Sequence, residues 1–84
     1  MPRKIRQLVA DLRRAGFVQL RGRGKGDHQM WQHPDVPAAI VGLDGRDGDD
    51  AKRYMETNLR KAIAQVQQTL AAREAERQRE EEQS

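Results

Sequence analysis

Ile5, Leu8, Val9 and Leu12 recur at spacings of three and four. That is the apolar stripe of an amphipathic helix, and it predicts a helix over residues 3–15. Gly16 follows where such a helix would end, free to take positive φ. Phe17-Val-Gln-Leu-Arg-Gly-Arg23 begins apolar and turns basic, which predicts a strand over 17–23. Gly22, Gly24 and Gly26 then interrupt the chain as a turn or glycine-rich loop would. Residues 28–33 predict a second strand, with His28, Met30 and Gln32 on one face and Gln29, Trp31 and His33 on the other. Pro34 and Pro37 bracket a turn, and Ala38 to Leu43 read as a third strand. The polar stretch from Asp44 to Asp50 is a loop whose last acidic residues suit a helix start. From about Ala51 the helical period returns, carried by Met55, Leu59, Ala62, Ile63, Val66 and Leu70.

The predicted order is α-β-β-β-α. Sequential strands with short connections pair antiparallel, and two amphipathic helices can cover one face of the resulting three-stranded sheet. The expected fold class is therefore α+β, with the other sheet face open to solvent or ligand. One domain over 1–72 accounts for every large apolar side chain. Residues 73–84 form a charged tail, a helical extension or a disordered end. With only Ala75 as an apolar group, the tail is expected to fray.

Composition narrows the chemistry. The chain of 84 residues contains no cysteine, which removes disulfides, thiolate metal sites and a thiol nucleophile. No apolar run approaches the roughly 20 residues that cross a bilayer. Arg6, Asp11, Arg13 and Arg14 interrupt the N-terminal apolar residues, so no signal peptide is expected and a cytoplasmic location is. The formal net charge of +3 is unevenly spread. Residues 1–33 hold Arg3, Lys4, Arg6, Arg13, Arg14, Arg21, Arg23 and Lys25 against Asp11 and Asp27. The tail from Glu74 is acidic. A basic N-terminal half points to a polyanion, and phosphate backbones are the commonest.

Arg21-Gly-Arg-Gly-Lys-Gly-Asp-His28 is the most informative stretch. Glycines admit backbone N–H groups to a phosphate, and Arg21, Arg23 and Lys25 supply charge. The alternative is an ordinary hairpin turn with exposed basic residues. The stretch is neither a Walker A loop nor a dinucleotide fingerprint, since the GK[ST] ending and the following helix are missing. His28 enters the second strand from this loop. A histidine among cations can take a proton from a ribose 2′-OH while the cations hold the charge that grows on the phosphate. It can equally be an ordinary surface histidine. His33 reads as a strand-end residue. The Asp cluster at 44–50 fails the calcium-loop template, and no arrangement matches a zinc site. Trp31 can stack on an unpaired base or close a small core.

Taken together, the Ala15-Gly16-Phe17 turn, the Lys25-Gly26-Asp27-His28-Gln29-Met30-Trp31-Gln32-His33-Pro34 segment and the later Asn58-Leu59-Arg60-Lys61-Ala62-Ile63 resemble the HicA toxins of type II toxin–antitoxin pairs. The resemblance spans about residues 3 to 70. It implies a fold similar to double-stranded-RNA-binding domains and a metal-independent endoribonuclease, an mRNA interferase, without cofactor. It puts the catalytic histidine at His28, and it implies two partners, mRNA and a HicB-type antitoxin. Beside it, on the residues' own chemistry, Arg21, Arg23 and Lys25 are expected to hold the RNA backbone, Gly24 and Gly26 to let it approach, and Trp31 is the candidate for base stacking. Asp27 stands where the family commonly has a serine or asparagine before the histidine. The alternative function is a non-catalytic RNA-binding module on the same fold.

Overall fold

The computed structural model describes residues 2–21 and 26–83. Its elements are α1 (Ile5–Arg14), β1 (Val18–Leu20), β2 (His28–His33), β3 (Val36–Asp44) and α2 (Arg53–Gln83). The three strands form one antiparallel sheet in the order β1-β2-β3. This is the α+β arrangement that the periodicity predicts, and it fits a description as double-stranded-RNA-binding-domain-like. Among the described residues no helix is long and apolar enough to cross a membrane.

Both helices cover one sheet face. Ile5, Leu8 and Leu12 of α1 and Met55, Leu59, Ala62 and Val66 of α2 pack with Trp31, Ala39, Val41 and Leu43 in a single core. The register assigns the opposite face. Val18, Gln32 and Ile40 form one row across it, Leu20, Met30 and Gly42 a second, and His28 and Asp44 a third at the end of the sheet. Ile40 and Val18 on this face are about half exposed.

α1 stops as its sequence dictates. Gly16 adopts φ +91°, its N–H donates to Arg13 O at 3.1 Å, and Phe17 N–H donates to Leu12 O at 2.9 Å. This is the paired-bond ending that a C′ glycine permits. Gly16 has a second reason to lack a side chain: a Cβ there would lie 2.9 Å from His33 Nε2. His33 is buried, packs edge-on against Phe17 and accepts Asp35 N–H at Nδ1. It is a core residue that closes the β2–β3 turn.

The 44–50 loop staples the helix starts together. Ile5 N–H donates to Asp49 O, Ala51 N–H donates to Arg3 O, and Lys4 Nζ pairs with Asp50 at 2.5 Å. Asp50 is thus spent on Lys4 rather than on capping α2, whose first turn closes on Lys52 O. Asp49 accepts Arg46 N–H within the loop.

Of the two forms expected for the tail, the helical extension is the one observed. The helix runs on to Gln83. No large side chain holds it, but Arg77 pairs with Glu74 and Glu81, Arg79 pairs with Glu76, and Ala71, Ala72 and Ala75 are strong helix formers. Charged pairs at i,i+3 and i,i+4 replace burial as the reason for helix. At its root, Arg73 donates to Asp35 O at 2.5 Å and ties α2 to the β2–β3 turn.

Candidate functional site

His28 opens β2 and lies directly opposite Asp44, the last residue of β3. Opposed residues of an antiparallel pair share a face, so both side chains stand on the open side of the sheet. Imidazole Nδ1 is hydrogen-bonded to Asp44 Oδ1. A carboxylate can only accept, so Nδ1 carries the hydrogen. The other carboxylate oxygen, Oδ2, accepts the hydroxyl of Tyr54 at 3.0 Å. Tyr54 stands in the first turn of α2. The result is a chain of three side chains from three elements, with the imidazole still more than a third exposed.

The two donors hold the Asp44 carboxyl below the ordinary aspartate range, His28 first and Tyr54 second. The same bond raises the Tyr54 phenol above its ordinary value. A carboxyl lowered in the fold adds stability that is present above the ordinary aspartate value near 4 and is lost as pH falls through the lowered one. Melting temperatures of the wild type should therefore decline more between about pH 5 and 2 than those of Asp44→Asn. The difference should be small, because the group is solvent-screened. Equal declines in thermal melts would argue against the chain.

With Nδ1 engaged, Nε2 is the nitrogen left for proton transfer. Met30 Sδ lies 3.1 Å from it. Met30 is unbranched and stands on the open face, so a substrate can displace it. Gly42 leaves room beneath: a Cβ there would sit 3.3 Å from Met30 Sδ and 3.6 Å from His28 Cε1. An imidazole with Nδ1 anchored to a carboxylate can, once Met30 is moved off Nε2, accept a proton from a hydroxyl there and return one to a leaving oxygen.

The other expected site residues divide. Arg21 is exposed at the end of β1, and Gly26 turns into β2 with φ +63°. Arg23, Gly24 and Lys25 lie outside the described residues. Trp31 does not stand where a base can stack on it. It is 2 % exposed, on the helix-covered face, with Arg13 over its ring at 5.6 Å. Core closure is its role, because β2 turns odd-numbered side chains inward. Asp27 does not touch the imidazole; it pairs with Arg46 at 3.6 Å.

Asp44 and Tyr54 are the site residues that sequence reasoning missed. No local sequence signal marks them: a register shift between Gln32 and His33 places the end of β3 against the start of β2. A cleft of about 510 Å³ adjoins this end of the sheet, with His28, Arg6, Arg13 and Arg46 among its lining. No family model matches the chain, and no curated protein matches it.

Proposed function

We propose that the protein is a metal-independent endoribonuclease acting on mRNA, the toxin of a HicA-like toxin–antitoxin pair. The observation that carries the reading is the His28–Asp44–Tyr54 chain on an open sheet face, with the basic 21–25 stretch shortly before it in sequence. His28 takes the proton of a ribose 2′-OH through Nε2. The freed 2′-oxygen attacks the adjacent phosphorus, and the 5′-oxygen leaves with a proton returned by the imidazolium. Asp44 keeps Nδ1 protonated and stabilises the imidazolium, and Tyr54 keeps Asp44 in place. Arg21, Arg23 and Lys25 hold the phosphate backbone, and Gly24 and Gly26 let the strand approach it.

The resemblance adds a partner, a HicB-type antitoxin that covers the surface around Lys25 and His28. Its carboxylates would use the same attraction that draws phosphate.

The test is expression of the chain alone. Growth should stop, and His28→Ala should restore it. Toxicity that survives His28→Ala would favour a non-catalytic protein that sequesters RNA.

A further inference from the structure

The cations in and just before α1 divide into two sets. Arg3 pairs with Asp11 at 2.6 Å, Arg14 pairs with the same carboxylate, and Lys4 pairs with Asp50. Arg6 and Arg13 have no ionic partner among the described residues. These two, and not the three paired ones, line the cleft. They stand seven positions apart on one side of the helix, about 10 Å along its axis. Ala10 lies between them and leaves the floor low.

The facing wall adds a donor. Trp31 Nε1–H donates to Gln29 Oε1 at 3.2 Å, which turns the Gln29 amide so that its NH₂ is free. Trp31 also supports the Arg13 guanidinium from below. Two unpaired guanidiniums and an oriented amide donor suit an anion. Arg46 is engaged by Asp27, and Asp47, whose carbonyl accepts the Arg6 N–H at 3.1 Å, brings one carboxylate to the Arg6 side.

We infer that this cleft, on the helix side of the sheet end, binds a backbone phosphate of the single-stranded RNA whose scissile phosphate lies at His28. The inference rests on the RNA reading above. It adds a second contact on the opposite side of β2, so the strand wraps around the start of β2 rather than lying flat on the open face. The contact is to phosphate and carries no base information.

The experiment uses the full chain carrying His28→Ala, so that binding is read without cleavage. A short labelled single-stranded RNA is titrated by fluorescence anisotropy over a range of salt. Arg6→Ala/Arg13→Ala should weaken binding about tenfold or more and flatten the log–log salt slope by roughly 1.4, the value for two phosphates on a single strand. Arg3→Ala/Arg14→Ala, which removes cations already paired, should change both far less. Circular dichroism of the two double variants checks folding; all four side chains are at the surface.

An unchanged slope and affinity in Arg6→Ala/Arg13→Ala would overturn the cleft, and the nuclease reading would survive if the wild type still cut RNA. RNA binding lost with the pair, in a wild type that never cuts, would uphold the cleft and overturn the nuclease. A protein that binds polyglutamate through this pair but no RNA would overturn both, in favour of an acidic protein partner.

Discussion

The His28→Ala protein is expected to cleave RNA about 10²–10⁴-fold more slowly than the wild type, the usual contribution of a positioned general acid–base. Its fold should be unchanged, because the imidazole is more than a third exposed and contributes no core surface. Removing the ring takes away the proton acceptor and leaves Asp44 with only Tyr54. Asp44→Asn should give a partial loss. An asparagine can still hold the ring through its side-chain oxygen, but it does not stabilise the imidazolium. Rates are read on a labelled single-stranded RNA in EDTA, with thermal melts as the control. Equal rates for His28→Ala and the wild type would remove the histidine from the reaction.

The second large effect is on stability. Trp31→Ala is expected to cost about 3–5 kcal/mol, the range for truncating a buried aromatic residue. A domain this small commonly has a total near the lower end of about 5–15 kcal/mol, so the variant should be largely unfolded or melt more than 15 °C lower. Trp31 is among the largest fully buried side chains, and its loss opens a cavity between α1 and the sheet. It also removes the support of Arg13 and the orientation of Gln29. Trp31→Phe should recover most of the stability. A Trp31→Ala protein that melts like the wild type but loses RNA affinity would restore the base-stacking role.

Much of this fold was legible because its periods are clean. The stripe of α1, the alternation of β2 and the ending at Gly16 each follow from side chains within a dozen residues. β2 was placed at its observed bounds, and its two faces were assigned correctly. What escaped was long-range. The turn pairs His33 with Val36, and continuing that register would set His28 opposite Val41. A shift between Gln32 and His33 instead brings Asp44 to His28. Nothing local announces that shift, so the histidine's partner could not be read from sequence. Tyr54 depends further on how α2 docks.

The basic character of the N-terminal half is legible in the sequence, but which cations stay free is not. Asp11 looked like one acid among many cations, yet it takes Arg3 and Arg14 and so decides which arginines stay free. Trp31 was open to two readings because period 2 gives faces without saying which is covered. The tail was open to two forms, and the helical one is observed. Burial was the wrong criterion there, since paired charges and alanines suffice for helix without a core.

The central claim is that His28 activates a ribose 2′-OH, and the chemistry of the cut ends tests it most directly. Purified protein is incubated with single-stranded RNA in EDTA, and the products are identified by mass spectrometry. The predicted products carry a 2′,3′-cyclic phosphate on one side and a 5′-hydroxyl on the other, and a 2′-deoxy sugar at the cut site should stop the reaction. Products with 3′-hydroxyl and 5′-phosphate ends, or cutting that persists at the 2′-deoxy site, would contradict it.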